Sequence, residues 1–233
     1  MLHMTYGSSY VFDESGKGRR AIVTVSIGPA YEKISALTHP LMMDYAQRCG
    51  ASFEVITDRV YPRTIQMFWE KLQMRDYLQE YGRIAFIDSD IIIHPKAPSL
   101  FDIAPEGRIA MLNEAHVQKT EKRKELEDFC QRAGIQMPKW DGRYFNVGVI
   151  VFGREHLHVF DDPPKWVRHS YPEQAWTNIR LAQMGINALE LPRCMHDWKH
   201  IICGNPWLIH YAGHKKDEKL VEIIKKDIKR WAL

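Results

Sequence analysis

Long apolar runs are missing from this chain of 233 residues. None approaches the ~20 residues that a membrane-spanning helix needs, so no such span is expected. Residues 1–20 hold no apolar segment of the signal-peptide kind. With Gly7-Ser8-Ser9 and Ser15 to Gly18 they read as a flexible leader. Cysteine is scarce, and Cys49, Cys130, Cys194 and Cys203 make no C-x-x-C pair, which removes zinc-ribbon and thioredoxin readings. Their spacing suggests no disulfide framework, which fits a reducing compartment. An excess of one charge is lacking too. The formal net charge is +3, and no basic face interleaved with aromatics marks a nucleic-acid binder. No repeat, low-complexity segment or composition shift marks a linker. The expectation is a cytoplasmic protein with no nucleic-acid partner.

What is present is an ordinary globular composition, 45% hydrophobic and 26% charged. A chain of this size can bury roughly 70–75% of its unfolded surface, enough for a single domain over 21–233. Ala21 to Ser26 is a β-branched run that ends at Gly28-Pro29 and reads as a buried first strand. A helical pattern follows on Ile34, Leu37, Leu41 and Tyr45, with Pro40 expected to kink or split it and Gly50 to cap it. Ser52 to Ile56 is a second strand. Ile65, Phe68, Trp69, Leu72, Met74, Tyr77, Leu78 and Tyr81 have helical spacing up to Gly82. Arg83 to Ile87 then leads into Asp88-Ser89-Asp90, and a further apolar run stops at Pro95.

The order β-α-β-α-β argues for a parallel, doubly wound α/β sheet with helices on both faces. Ligands of such sheets bind beyond the carboxyl ends of the strands, where Asp88 and Asp90 fall. Carboxylates wedged between core-seeking segments need a partner. In extended chain, residues i and i+2 point the same way, so both can reach one divalent cation. The plain alternative is an acidic turn after a strand.

Further elements complete the outline. Arg108 to Leu112 is a candidate strand. Thr120 to Ala133 is a helix capped by Thr120 and stopped by Gly134, with a stripe of Leu126, Phe129, Cys130 and Ala133. A surface helix with one buried face is the plain reading, and a lid or acceptor-binding insertion the sharper one. Tyr144 to Phe152 is a strand with Gly148 inside it, a sign of a bulge or of close approach by a ligand or another backbone. Glu173 to Met184 is a helix, and Ala188 to Leu191 and Trp207 to Tyr211 are strands. Glu218 to Trp231 is an amphipathic helix rich in lysine. It reads as a closing helix with a solvated basic face; the alternative is weak contact with an anionic membrane surface.

Taken in order, several short motifs resemble those of retaining glycosyltransferases of the glycogenin and lipooligosaccharide galactosyltransferase type, family 8. The resemblance runs from Ala21 to about Lys216. It rests on Val23-Thr24 with Tyr31, on Lys71 ahead of Asp88-Ser89-Asp90, and on Phe145-Asn146-Val147-Gly148-Val149. It also rests on Glu173-Gln174 with Asn178, on Leu191-Pro192 with Trp198, and on His210-x-x-Gly213-x-x-Lys216. Each motif is weak alone; their shared order is specific. The resemblance implies a single GT-A (Rossmann-like) domain with a mixed, mostly parallel central sheet. It implies transfer of a hexose from a UDP-sugar to a glycan, lipid-linked glycan or protein acceptor, with retention of configuration.

The implied roles follow residue by residue. Asp88, Asp90 and His210 would ligate the metal, with the imidazole tilting the choice toward Mn2+ over Mg2+. Lys216 and backbone N–H groups near Gly213 would face the diphosphate. Thr24, Tyr31, Lys71, Ser89 and Gly148 would line the nucleotide-sugar site, with Tyr31 against uracil and Ser89 at the ribose. Asn146, Glu173 and Gln174 would surround the reacting sugar, Gln174 beneath the anomeric carbon. Plain alternatives stand beside these: a satisfied core histidine at 210, a solvated Lys216, packing for Tyr31, and an acidic helix start at Glu173. Two departures stand out. The family usually has aspartate where this chain has Glu173, and often Pro-Trp where Asp217-Glu218 follows Lys216. A non-catalytic nucleotide-sugar binder is the main competing reading. A sugar nucleotidyltransferase is a lesser one, because Ser26-Ile27-Gly28-Pro29 is not a glycine-rich phosphate loop.

Overall fold

A computed structural model describes residues 18–116, 122–198 and 203–231. The expected leader, apart from residues 18–20, and the expected cap Thr120 lie outside the described residues.

Strands β1 (Arg20–Val25), β2 (Ser52–Ile56) and β3 (Arg83–Ile87) are joined by parallel pairings of β1 with both neighbours. β4 (Ile91–Ile93) leaves that sheet. β5 (Ala110–Asn113), β6 (Phe145–Gly153) and β7 (Leu189–Glu190) complete it in the order β2-β1-β3-β6-β5-β7. β6 runs antiparallel to both β3 and β5, and β7 parallel to β5. The sheet is therefore mixed, as expected. The second apolar run after Asp90 does not extend β3. With β8 (Asp197–Trp198) and β9 (Leu208–His210) it forms a small sheet of order β4-β9-β8.

The central strands are buried on both faces. Ala21, Val23, Ile84, Phe86, Ile150 and Phe152 point into one core. Their neighbours Ile22, Ala85, Ile87, Val149 and Val151 point into the other. This is the two-residue alternation of a sheet covered on each side.

Helix α1 (Pro29–Arg48) continues through Pro40, so of the expected kink or split the split does not occur. Pro40 and Ala36, whose carbonyl loses its partner there, are both exposed, so that carbonyl faces solvent. Gly50 ends the helix with φ 61°. The Gly50 amide donates to Gln47 and the Ala51 amide to Ala46, which closes the last carbonyls in a Schellman turn. Residues Met67–Gln79 form a 3-10 helix rather than an α-helix. An apolar spacing of three serves either helix, so periodicity does not separate them.

Helix α2 is a short turn (Leu100–Ile103) capped by Ser99. Helix α3 (Lys122–Ala133) buries Leu126, Phe129, Cys130 and Ala133, the plain surface-helix pattern. Helix α4 (Pro172–Gln183) packs on β6, where Asn178 Oδ1 accepts from the Phe145 amide (2.7 Å) and its Nδ2 donates to the Phe145 carbonyl (2.8 Å). Helix α5 (Glu218–Trp231) buries Leu220, Val221 and Ile224 against α1 and the small sheet. Each such side chain contributes roughly 1.5–3 kcal/mol, and the exposed side of α5 is its lysine side. No helix among the described residues is long and apolar enough to cross a membrane.

Candidate metal and nucleotide-sugar site

Beyond the carboxyl ends of β1 and β3 lies a cavity of about 540 Å3. That volume suits a sizeable small-molecule ligand. The Asp88 amide donates to the Gly148 carbonyl at 2.8 Å, carrying the β3–β6 pairing one step past β3. A tight turn follows, closed by the Ile91 amide on the Asp88 carbonyl. Thr38 of α1 donates to the Ser89 carbonyl (2.7 Å), and the Tyr211 amide to the Asp90 carbonyl (3.1 Å). The register of β4 and β9 sets His210 opposite Ile91. One ligand atom each from Asp88, Asp90 and His210 therefore lie within 4.8 Å of one another. His210 Nε2 is 3.3 Å from Asp90 Oδ1 and 3.5 Å from Asp88 Oδ2.

Two lysines face these carboxylates. Lys71 Nζ lies 2.8 Å from Asp88 and 3.4 Å from Glu173. Lys216 Nζ lies 2.5 Å from Asp90 Oδ2 and also donates to the Tyr211 carbonyl. Burial alone would raise the Asp90 carboxyl, but His210 and Lys216 hold it well below the usual range. Burial likewise works against the Lys71 ammonium, yet Asp88 and Glu173 keep it above its ordinary value. Burial pushes Glu173 up to about 7, with Lys71 pulling the other way. Its Oε2 has no partner among the described residues. The Tyr31 phenol is pushed up to about 12 by burial, then by Asp90 and Asp88.

A cation fits this set. Two carboxylates from the turn between β3 and β4 and an imidazole from β9 converge, and this donor mixture suits Mn2+ or Mg2+. The imidazole is also braced from behind. His196 is fully buried, with Nε2 2.8 Å from His210 Nδ1, and burial followed by the nearby His210 keeps it well below the usual histidine value.

Farther along the cavity the first turn of α4 presents Glu173 and Gln174. Gln174 is committed at both ends of its amide. Its Nε2 donates to Glu114 Oε2 (2.8 Å), and its Oε1 accepts from the Val147 amide (3.3 Å). Asn146 donates to the same Glu114 oxygen at 3.4 Å and accepts from the Gly148 amide at 2.8 Å. Glu114 was not singled out from the sequence. Burial raises its carboxyl, opposed by Lys122. The available signal was its place just after the apolar run of β5, the same position that marks Asp88 after β3.

Of the expected site residues, Tyr31, Lys71, Asp88, Ser89, Asp90, Asn146, Glu173, Gln174, His210, Gly213 and Lys216 line this one cavity. Thr24 and Gly148 do not. Thr24 is fully buried on the face of β1 shared with Ile22, because alternation gives the cavity face to Val25. The space beside Gly148 is filled by a side chain, not by a ligand or backbone. A Cβ there would lie 2.5 Å from His210 Cε1. A bulge is present as well, since the β5–β6 register jumps from Met111–Ile150 to Leu112–Asn146.

No family profile matches the chain, and no curated protein sequence matches it. Solved structures do. A glycosyltransferase involved in glycosylation of the major capsid of PBCV-1 superimposes with a TM-score of 0.62 at 10% identity, over 89% of this chain and 99% of that one. The bifunctional glycosyltransferase WbbM matches with a TM-score of 0.56 at 14% identity, over 97% of this chain and 51% of its own length. Mouse xyloside xylosyltransferase 1 matches with a TM-score of 0.53 at 11% identity, over 84% of this chain and 99% of that one. At these identities the likeness concerns the fold: the chain has the mixed α/β architecture of the GT-A glycosyltransferases.

Proposed function

We propose that this chain is a metal-dependent glycosyltransferase that moves a hexose from a UDP-sugar to a glycan, lipid-linked glycan or protein acceptor, with retention of configuration. It would act as the family 8 enzymes of the glycogenin and lipooligosaccharide galactosyltransferase type do. The observation that carries the reading is the Asp88, Asp90 and His210 cluster, flanked by Lys71 and Lys216, at the ligand-binding edge of a GT-A fold.

Asp88, Asp90 and His210 would hold Mn2+, or Mg2+ as the second choice. When bound, the cation supplies Lewis-acid stabilisation of the departing diphosphate. Lys216 is placed to add a cationic donor to the same phosphates, beside the backbone of Gly213. Tyr31 would offer a ring to the uracil, and Ser89 would bind a ribose hydroxyl; both line the cavity. Glu173, which lines the cavity, would bind sugar hydroxyls. Glu114 and the Val147 amide fix the Gln174 amide, so a Gln174 lying beneath the anomeric carbon would need no reorientation during reaction. No side chain need be a nucleophile in this scheme: the acceptor hydroxyl attacks the face that the diphosphate leaves, the bond to the diphosphate breaks as the new one forms, and the hydroxyl proton passes to the departing diphosphate oxygen.

The test needs no acceptor. Purified protein with Mn2+ is given a panel of nucleotide sugars, UDP-glucose and UDP-galactose first, and slow donor hydrolysis is followed. Release of UDP from one donor, dependent on Mn2+ and abolished in Asp90→Ala, is expected. Failure to hydrolyse or bind any donor would refute the reading.

A further inference from the structure

His196 has no part in the chemistry above, yet it is completely buried against a residue that does. Its ring lies nearly parallel to that of His210, with 24° between planes and 5.0 Å between centroids. The parallel register of β8 and β9, Trp198 beside His210, keeps the two segments together. Gly148 supplies the room on another side of the His210 ring, where a Cβ would approach Nδ1 to 2.8 Å. The His210 ring is therefore confined by backbone on one side and by a second imidazole on the other.

A hydrogen bond between two neutral imidazoles can run in either direction. Without a cation, His210 Nε2 faces carboxylate oxygens of Asp90 and Asp88 at 3.3 and 3.5 Å. A lone pair there would meet anions, so Nε2 carries the proton; when the ring is neutral, Nδ1 is then the acceptor for His196 Nε2. A cation held by Nε2 needs that lone pair. The proton of His210 must then sit on Nδ1 and be donated to His196 Nε2, with the proton of His196 on its own Nδ1. One proton leaves His210 Nε2 and one arrives at His196 Nδ1, so the charge of the pair is unchanged. His196 Nδ1 has no partner among the described residues, so no described bond opposes the reversal.

Resting on the metal reading above, we propose that His196 is the positioning residue of the cation site, holding the His210 ring and reversing their shared hydrogen bond when a cation binds. Its contribution is specific to cations that use the imidazole. Mg2+, which prefers oxygen ligands, depends on it far less than Mn2+.

The test compares wild type with His196→Phe, which keeps a ring but loses the nitrogen, and with His196→Gln, whose amide oxygen can replace Nε2 as acceptor. Mn2+ affinity is read by electron paramagnetic resonance and Mg2+ affinity by competition, on proteins whose metal-free thermal unfolding is also recorded. Outer-shell partners of metal ligands are worth about 10–100-fold. The expected result is a loss of that size for Mn2+ in His196→Phe, little change for Mg2+, and recovery in His196→Gln. In wild type, 15N spectra should show His210 protonated at Nε2 without metal and at Nδ1 with diamagnetic Cd2+. Unchanged Mn2+ affinity in His196→Phe, equal losses for both ions, or an unchanged His210 tautomer would overturn the proposal. No Mn2+ binding by wild type would overturn the metal reading itself, and this proposal with it.

Discussion

Adding one methyl group at Gly148 should dismantle the imidazole corner of the site. In Gly148→Ala the new carbon would stand 2.5 Å from His210 Cε1, 2.8 Å from His210 Nδ1 and 3.0 Å from Asn146 Oδ1. Carbon–carbon contacts are comfortable at ~3.5–4.0 Å, so the ring must retreat by about 1 Å or more. It has little freedom to do so, with His196 on Nδ1 at 2.8 Å and the two carboxylates before Nε2. Gly148 is not in the left-handed region, so the effect is one of space and not of backbone strain. Overpacking of this kind costs about 1–3 kcal/mol. For a chain of this size each kcal/mol lowers Tm by about 2–4 °C, giving a fall of roughly 2–12 °C. Displacing the imidazole should also weaken Mn2+ binding by about 10–100-fold, the scale on which metal sites respond to loss of support. Thermal unfolding of the metal-free protein and a Mn2+ titration followed by electron paramagnetic resonance read the two effects separately. A Gly148→Ala protein with unchanged Tm and unchanged Mn2+ affinity would refute the reasoning.

Three further outcomes are expected. Lys216→Met removes the ammonium that lies on Asp90. Calorimetry should find Mn2+ alone binding more tightly and UDP with Mn2+ more weakly, each by roughly tenfold; shifts in the same direction would contradict the placement of Lys216. Burial pushes the Glu173 carboxyl up to about 7, above its ordinary 4.5. The unfolded chain thus loses its proton first, and stability present below about pH 4.5 declines up to about pH 7, by on the order of 3 kcal/mol. Denaturant titrations with EDTA should show a flatter profile over that window in Glu173→Gln, and an identical slope would count against a buried, protonated Glu173. Tyr211→Phe deletes a hydroxyl that donates to Asp227 of α5 at 2.7 Å. A loss of about 1–3 kcal/mol and faster proteolysis within 218–231 are expected, and wild-type resistance would argue that the buried apolar face alone holds the helix.

Local pattern was enough for much of this protein. Alternation and β-branched runs located β1, β2, β3 and β6, and of these β1, β3 and β6 read as continuous apolar stretches because they are buried on both faces. The carboxylates of Asp88 and Asp90 stood out because they interrupt such a stretch. The helix at 218–231 was legible to its ends from its apolar stripe. By contrast, the 3-10 geometry at 67–79 and the passage of α1 through Pro40 depend on hydrogen bonds and solvent exposure that spacing does not encode. Glu114 and His196 carried no periodic signal, since each matters only through a neighbour distant in the chain.

By itself the sequence placed the main strands and helices in order, marked Asp88 and Asp90 as carboxylates that need a partner, and set the edge of the sheet at which they fall. Those features are short-ranged, following from side-chain period and the expense of burying charge. Tertiary structure alone decided that β4 leaves the main sheet to pair with β9 and so delivers His210 to the carboxylates. It also decided that His210 fills the space at Gly148, that Lys71 and Lys216 divide the two aspartates between them, and that Thr24 faces away. The reason is physical: these contacts join residues as much as 126 positions apart, and only packing of the whole chain sets such distances.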